Sequence, residues 1–484
     1  MNLDARLPQE LRDCLPPEAQ AYIQALEARI AALEATLQQL QEQLQQDSRT
    51  SSRPPSSDPP QARHQRPRHE PSGRRPGGQP GHEGQTRMLV PVAEVEVVMS
   101  VKPARCRCCQ HSLHGDDPQP RRHQVTEIPP VRPTVIEYQL HRLVCPVCGE
   151  ATRAEVPQGV PTGEFGPRVQ AIAALCTGAY HLSKRTTQCV LADLFGVHMS
   201  GGTIANLEQA TVHALAGPLA EARAYVQAQP AAYLDETGWR EGAQRAWLWT
   251  AVTAWVTIFV VRRSRGAQVA HELLGERFWG YLVTDRWSAY TWYPMWRRQL
   301  CWAHLLRDIE AMIARGGGSQ AIGEALRAQA RQMFHWWHRV HDGTLAPASF
   351  ASYMRPIRQE VERLLEVGQT CGVPKTAGVC RAILKVRQAL WTFVRHPEVE
   401  PTNNAAERAI RPGVLWRKGS FGTHSAQGSQ FVEAMMTTVA TLKQQHRNVL
   451  DYVSAACEAI LQGEPAPSLL PSAETLKHFM HRAA

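Results

Sequence analysis

The segments AAYLDETGW (231–239) and WGYLVTDRWSAY (279–290) each consist of a short apolar run that leads into an aspartate, Asp235 in the first and Asp285 in the second. Short apolar runs bounded by polar residues are typical of buried β-strands. The intervening sequence predicts two more buried strands and one helix: WLWTAVTA (247–254), VTIFVV (256–261) and GAQVAHELLG (266–275).

This order of three strands, a helix and a further strand matches the ribonuclease-H-like fold, in which the first and fourth strands are neighbours. We therefore expect Asp235 and Asp285 to meet, although about 50 residues separate them. Successive side chains of a strand point to opposite faces, so only one of Asp235 and Glu236 can join such a site. We choose Asp235.

A third carboxylate is Glu407 in PTNNAAERAIRP (401–412), near the start of a helix that we expect to end at Pro412. Three carboxylates would hold two Mg²⁺ (or Mn²⁺) ions, which prefer oxygen ligands and catalyse phosphoryl transfer. Arg408, Arg411, Arg417 and Lys418 would bind DNA phosphates. The alternatives are that each aspartate only caps a turn and that Asn404 to Glu407 form a helix capping box.

Two cysteine pairs, Cys106 with Cys109 and Cys145 with Cys148, have the spacing of two corners of one structural zinc site. Cys108 competes for a place at the first corner, and His111 is a weaker candidate. Buried free cysteines are the alternative. The flanking sequences VAEVEVVMSV (92–101) and TVIEYQLHRLVC (134–145) alternate apolar and polar residues, which predicts strands.

Residues 181–211 predict a helix from Lys184 to Phe195, a turn at Gly196, and a second helix capped by Ser200 or Thr203. This is the pattern of a DNA-binding helix-turn-helix, although a plain helical hairpin has the same pattern. In a DNA-binding arrangement, one group of residues would contact bases (Thr203, Asn206 and Glu208) and another would contact phosphates (Lys184 and Arg185).

The N-terminal segment 20–46 places apolar residues alternately three and four positions apart, from Ile23 to Leu44. This heptad pattern predicts a coiled coil that forms a homodimer, and a single amphipathic helix is the alternative. Residues 47–86 are rich in Pro, Arg and Gly and predict a disordered basic linker.

The net charge of +9 favours a polyanionic partner, and twelve cysteines in 484 residues are too few for a disulfide scaffold. The opening sequence has no apolar signal segment. The longest apolar run, 247–261, is shorter than the roughly 20 residues that a membrane span needs. We expect a cytoplasmic protein with no membrane partner.

The chain resembles the transposases of the insertion sequence 66 family of bacterial mobile elements. The most specific stretches are LDETGWR (234–240), TDRWSAY (284–290), CWAHLLRD (301–308) and TNNAAERAIRPGVLWRKGSFGTHSAQGS (402–429). The resemblance implies DNA cleavage and joining by an Asp-Asp-Glu triad, which falls on Asp235, Asp285 and Glu407. It also implies inverted repeat ends and target DNA as partners, with accessory transposition proteins encoded nearby.

Two further features lie close in sequence to the second aspartate of that triad: an unusual neighbouring residue and a C-x-x-H pattern. Arg286 follows the second aspartate, where the family usually has a small residue. Cys301 and His304 form a C-x-x-H pattern similar to one seen in several groups with this triad, which makes His304 a candidate to support the site. A buried cysteine and a hydrogen-bonded histidine are the alternative.

The sequence therefore predicts a multidomain α/β protein with six parts. They are a coiled coil (1–46), a linker (47–86), a zinc-binding module (87–160), a helical DNA-binding segment (161–228), a ribonuclease-H-like catalytic domain with a helical insertion at about 311–400 (229–430), and C-terminal helices with a tail (431–484). An inactive relative that only binds DNA is the second hypothesis. A sugar hydrolase with a carboxylate pair would need neither the coiled coil nor the cysteine pairs.

Overall fold

The computed structural model describes residues 14–45 and 88–472. Helix α1 (Pro17–Gln45) covers most of the segment predicted to be a coiled coil. Its apolar side chains at Leu26, Ile30, Leu33 and Leu37 are exposed. The predicted linker 47–86 lies outside the described residues, as does the end of the C-terminal tail.

The chain divides into two compact units, whose described parts are residues 88–134 and residues 14–45 with 135–472. The smaller unit contains a 3-10 turn at Val92–Glu94 and a bridge between Arg105 and Ser112.

In the larger unit, β1 (Arg142–Val144) pairs antiparallel with β2 (Ala151–Arg153). The strands predicted across 92–101 and most of 134–145 are therefore wrong. Val97 and Val98 are both exposed, and so are Val135 and Ile136. Alternating residues in these segments bury neither face, and an alternating pattern favours a strand only where one face is covered.

Three helices follow: α2 (Pro167–Gly178), α3 (Lys184–Phe195) and α4 (Gly201–Gln227). The predicted bounds of α3 are confirmed, and Gly196 ends it with a φ of 64°, a left-handed conformation that glycine tolerates. The Ser200 hydroxyl accepts a hydrogen bond from the Thr203 amide and caps α4 as predicted.

The central sheet consists of β3 (Ala231–Glu241), β4 (Gln244–Val252), β5 (Thr257–Arg262), β6 (Tyr281–Thr284) and β7 (Arg298–Leu300), with α5 (Ala267–Leu274) between β5 and β6. The strand order is β5-β4-β3-β6-β7. The antiparallel hairpin β3–β4–β5 is joined on its other side by β6 and β7, which are parallel to β3. The predicted contact between the first and fourth strands of this sheet is confirmed.

Strand β3 is longer than predicted. It continues past Asp235 to Glu241, because β4 pairs with it along its whole length, from Tyr233 with Val252 to Glu241 with Gln244. Pairing with β6 ends earlier, at Tyr233 with Val283. Asp235 therefore lies within a strand, at the point where only one of its two neighbouring strands continues.

The sheet is followed by a group of helices: α6 (Trp302–Ala314), α7 (Gly317–His341), α8 (Pro347–Gly368) and α9 (Pro374–Lys385). Two 3-10 turns, Arg387–Leu390 and Thr392–Val394, complete this part. The helical content predicted for about 311–400 is present. Trp336 and Trp337 are half-buried against this helical core, and Trp336 stacks on Tyr353, which favours a packing role for both.

The chain closes with α10 (Asn404–Ser420), α11 (Ala426–Gln444) and α12 (Val449–Gln462). The prediction that the Glu407 helix ends at Pro412 is wrong, because α10 continues for two further turns. Ile410 and Gly413, on either side of the proline, are buried against the sheet. A Cβ on Gly413 would lie within 2.4 Å of Leu248, so the close contact requires glycine and holds the helix in place.

The two faces of the sheet are covered by different helices. Ala232 and Leu234 of β3 belong to a core with α2, α4, α5, α11 and α12. Their neighbours Ala231 and Tyr233 face a second core with α6 to α9. Because side chains alternate along a strand, Asp235 shares the face of Tyr233, towards the helix that carries Glu407.

Candidate active site

Asp235 and Asp285 each lie two residues beyond the last paired residues of β3 and β6, which are Tyr233 and Val283. The two strands are parallel neighbours, so the aspartates emerge together at the same end of the sheet. Both side chains are partly exposed, so the site is open to solvent on one side. Asp235 Oδ1 accepts the Glu236 amide at 2.9 Å, and Asp285 Oδ1 accepts the Trp287 amide at 2.8 Å.

Glu407 is brought to this end of the sheet through Asn403. The Asn403 side-chain Nδ2 donates to the carbonyl of Leu234 at 2.7 Å, immediately before Asp235. The Asn403 amide donates to Cys301 Sγ at 3.1 Å, and its carbonyl accepts the Glu407 amide at 3.1 Å. Asn403 is almost fully buried. It therefore connects β3, the start of α6 and the first turn of α10.

The structure contradicts a capping-box role for Glu407. The residue preceding α10 is Asn403, and no side chain caps the helix. Glu407 Oε1 is buried and, within the described part of the chain, has no hydrogen-bond partner. Two basic side chains lie close to it: His304, with Nδ1 at 3.5 Å from Oε1, and Arg307, at 3.9 Å from Oε2. The carboxylate is thus not used to satisfy the helix end.

Burial and neighbouring negative charges act together on Asp235. Burial raises the pKa of Asp235 well above its ordinary value, and the charges of Glu236, Asp285 and Glu407 raise this pKa further. Like charges held close together oppose ionisation, and a bound cation reverses that effect. All three carboxylates predicted from the sequence are therefore close enough to interact.

Glu236 lies on the other face of β3, as predicted. Its carboxylate accepts hydrogen bonds from Tyr290 Oη at 2.5 Å and Arg265 Nε at 2.9 Å. Burial and the charge of Asp285 raise the pKa of Glu236 to about 7, against the lowering effect of Tyr290 and Arg265. Glu236 is occupied by these partners, which supports the choice of Asp235 as the residue facing Glu407.

Arg298 is a site residue that the sequence analysis missed. It lies in β7 with only 1% of its surface exposed, and its Nη2 donates to Thr284 Oγ1 at 3.2 Å and to the Asp285 carbonyl at 3.4 Å. Burial lowers the pKa of Arg298 to about 10, and the negative charge of Asp285 opposes that shift. This buried cation partly compensates the charge of the acids. The signal that could have identified it is an arginine shortly before the apolar residues of RQLCW (298–302).

Cys301, His304 and Glu407 each offer one ligand atom within 4.8 Å of the others. Cys301 is buried, and its amide donates to the Thr284 carbonyl at 2.9 Å, which fixes the start of α6 beside β6. His304 Nδ1 is buried and has no hydrogen-bond partner among the described residues, although Glu407 Oε1 lies 3.5 Å away. His304 lies against the third carboxylate.

Among the basic residues predicted to contact phosphates, Arg408, Arg411 and Lys418 of α10 are exposed. Arg417 is partly buried and donates to Thr237 Oγ1 at 3.2 Å and to the Gly238 carbonyl. Arg286 forms an ion pair with Asp308. The extra charge after Asp285 is therefore neutralised within the protein.

In the predicted helix-turn-helix, Arg185 and Asn206 are exposed and Thr203 is partly exposed. Glu208 is buried, and its carboxylate accepts from Lys184 at 2.7 Å. The expectation that Glu208 lies near bases is wrong, because this ion pair ties the two helices together. Lys184 retains about 44% exposure of its side chain. Contact of these residues with DNA stays a prediction.

The two cysteine corners have the same backbone hydrogen bonds. The amide of Cys106 donates to the His111 carbonyl and that of Gln110 to the Cys106 carbonyl; the equivalent pairs are Cys145 with Glu150, and Gly149 with Cys145. Hydrogen bonds from Cys109 and Cys108 lower the pKa of the Cys106 thiol, and those from Cys148 and Val147 lower that of Cys145. Each corner is therefore shaped to favour a thiolate.

The donor set at the acids fits hard divalent cations. Asp235, Asp285 and Glu407 supply carboxylate oxygens, and bound cations would relieve the repulsion of negative charges around Asp235. The buried Oε1 of Glu407, free of hydrogen bonds within the described part of the chain, is available as a ligand.

Within the part of the chain that the structure describes, no helix is long and apolar enough to span a bilayer.

Residues 162–431 match the model of the transposase IS66 family. Residues 6–88 match a family of unknown function (DUF6444). An uncharacterized protein y4qI of Sinorhizobium fredii (strain NBRC 101917 / NGR234) is 29% identical over 255 residues. That alignment covers 46% of this chain and 46% of the relative, so the chain matches less than half of the relative's length.

Proposed function

This chain belongs to the transposase IS66 family, and from that premise we propose that it cleaves and rejoins DNA strands at the ends of a bacterial insertion sequence. Its catalytic residues would be Asp235, Asp285 and Glu407, carried by a ribonuclease-H-like domain. The strand order β5-β4-β3-β6-β7, with a parallel contact between β3 and β6, supports that fold.

The observation that carries the proposal is the convergence of acids at one end of the sheet. Asp285 and Glu407, which are 122 residues apart in sequence, both raise the pKa of Asp235. Packing like charges around a partly buried carboxylate destabilises the folded protein unless something binds there. A site that retains such a cost is a strong candidate for function.

Different residues of the chain would bind metal, position the acids and bind DNA. Asp235, Asp285 and Glu407 would hold two Mg²⁺ or Mn²⁺ ions, which when bound activate the attacking oxygen and stabilise the leaving oxygen of a phosphodiester. Arg298 contacts the backbone of Asp285 and holds the end of β6 in place. Arg408, Arg411 and Lys418 are exposed on the helix that carries Glu407 and would bind DNA phosphates.

Cleavage of a supercoiled plasmid that carries the two ends of the element tests the proposal. We expect nicked and linear products that depend on Mg²⁺ and on the end sequences. The second candidate is a DNA-binding protein without catalysis, which the capped helices α3 and α4 favour. Binding to the ends without any cleavage, in Mg²⁺ or Mn²⁺, would favour that candidate and count against a transposase activity.

We further propose that the cysteine corners share one structural zinc ion, with Cys106, Cys109, Cys145 and Cys148 as ligands. The matched hydrogen bonds of the two corners support Cys109 over Cys108, because Cys109 occupies the position equivalent to Cys148. His111 corresponds to Glu150 and supplies only its carbonyl to the turn.

Replacing Cys145 by Ser should remove this zinc. We expect the bound zinc, measured by atomic emission, to fall from about one ion per chain to none, because three ligands hold zinc far more weakly than four. Limited proteolysis should then cut faster between residues 88 and 156. The matched variant Cys108→Ser should keep its zinc. Loss of zinc from Cys108→Ser, with retention in Cys109→Ser, would contradict the ligand set.

Helix α1 is proposed to form a homodimer through its apolar seam. Leu26, Ile30 and Leu33 are exposed on a helix whose remaining positions are mainly Ala, Gln and Glu, and an exposed heptad seam is stable only against a partner. Leu33→Asp should convert a dimer to a monomer in sedimentation velocity, whereas Glu27→Gln on the same helix should not. An unchanged mass for Leu33→Asp would rule out this dimer interface.

A further inference from the structure

His304 lies where it would bind the same ion as Glu407. It is in the first turn of α6, and Glu407 is in the first turn of α10. His304 Nδ1 and Glu407 Oε1 are 3.5 Å apart. Both atoms are buried, and neither has a hydrogen-bond partner within the described part of the chain. Buried polar atoms are almost always satisfied, so two that face each other across a short gap indicate a shared ligand.

The backbone holds these two side chains in place from both sides. The Trp302 amide donates to the Pro401 carbonyl at 2.9 Å, which joins the starts of the two helices. Cys301 Sγ already accepts the Asn403 amide at 3.1 Å. In this cluster, His304 Nδ1 and Glu407 Oε1 are therefore ligand atoms without a hydrogen-bond partner among the described residues, whereas Cys301 has a positioning role.

The chemistry of the donor set determines which cation fits. Mg²⁺ strongly prefers oxygen ligands, whereas Mn²⁺ and later transition metals also accept an imidazole nitrogen. A site made only of Asp235, Asp285 and Glu407 would offer oxygen ligands alone, which suit Mg²⁺. Adding one imidazole shifts the position beside Glu407 towards Mn²⁺.

We propose that His304 is a ligand of the ion held by Glu407 and that it gives this position a preference for Mn²⁺ over Mg²⁺. This inference rests on the proposed function, because it takes Glu407 to be a ligand of a catalytic ion. It adds a nitrogen donor to an all-carboxylate site.

The test is pulsed electron paramagnetic resonance on the full chain with added MnCl₂ and no DNA. We expect the wild-type protein to show modulation from a nitrogen that ligates Mn²⁺, and His304→Ala to lose it. His304→Ala should also bind Mn²⁺ at least ~10-fold more weakly, with little change for Mg²⁺. His304→Gln, which keeps a polar side chain of similar length, should behave like His304→Ala if folding is preserved by circular dichroism. His213→Ala, an exposed histidine of α4, is the matched control.

Absence of nitrogen modulation in the wild-type protein, or its persistence without His304, would overturn the inference. The proposed function is tested separately, by DNA cleavage. Nitrogen modulation that disappears with His304 in a protein that cuts no DNA would uphold the metal ligand and count against the transposase. DNA cleavage by a protein that shows no nitrogen modulation would uphold the transposase and count against His304 as a metal ligand.

Discussion

Asp235→Asn should reduce DNA strand cleavage by about 10³-fold or more, because it removes a carboxylate that would bind metal at the centre of the acid cluster. Binding to the ends of the element should be unchanged, since the exposed cations of α3 and α10 are untouched. Cleavage of a supercoiled plasmid and a gel shift on the end sequences measure the two effects. Glu366→Gln, an exposed acid of α8, is the matched control and should cleave normally.

The same substitution should stabilise the metal-free protein. The unfolded chain ionises Asp235 near its ordinary pKa of 3.8, and the folded chain does so at a higher pH. Between these two values the folded state binds more protons, so stability falls as pH rises, and a penalty is present at pH 7. In EDTA, Asp235→Asn should therefore melt at a higher temperature than the wild type. An inactive variant that melts at a lower temperature would indicate misfolding.

The predictions from sequence succeeded where apolar periodicity was strong. The strands around 231–261 and the helix at 184–195 follow from local patterns. The contact between β3 and β6 follows from the order of these elements along the chain. Strand β7 was missed because its residues Arg298 and Gln299 are polar yet buried. Gln299 is satisfied by Leu390 and Phe393. These partners lie some 90 residues away, so no local pattern predicts them.

Local patterns also misled in two places. Valines 97 and 98 have the spacing of a strand, but nothing covers either of them. Pro412 predicts the end of a helix, yet packing of Ile410 and Gly413 against the sheet carries α10 across it. In both places the outcome depends on tertiary contacts, which override local propensity.

The candidate acids could be selected from the sequence because Asp235 and Asp285 each follow an apolar run and Glu407 lies near a helix start. The residues that position these acids could not be identified from the sequence. Asn403 donates to the Leu234 carbonyl across 169 positions of sequence. From sequence alone, Asn404 fitted the capping position better than Asn403, and only the fold distinguishes the two asparagines.

Asn403→Ala should lower the cleavage rate by about 10²-fold without loss of end binding. The substitution deletes the bond from Nδ2 to the Leu234 carbonyl, so Glu407 loses its fixed distance from Asp235, and misplacement by about 1 Å is enough for such a loss. It also leaves a buried carbonyl unsatisfied, which should cost ~1–3 kcal/mol of stability. Assays well below the melting temperature separate these two effects.

A purely structural role for Asn403 would leave the metal requirement of the folded fraction unchanged. A positioning role predicts that the Mg²⁺ concentration for half-maximal cleavage rises, by about tenfold, because Glu407 no longer meets Asp235 in one geometry. Asn403→Asp should fail in the same way, since a carboxylate donates no hydrogen bond to Leu234. Asn404→Ala, one residue further on, should need no more Mg²⁺ than the wild type. Equal metal requirements for Asn403→Ala and the wild type would reduce Asn403 to a stabilising residue, and Glu407 would have to be held by other contacts of α10.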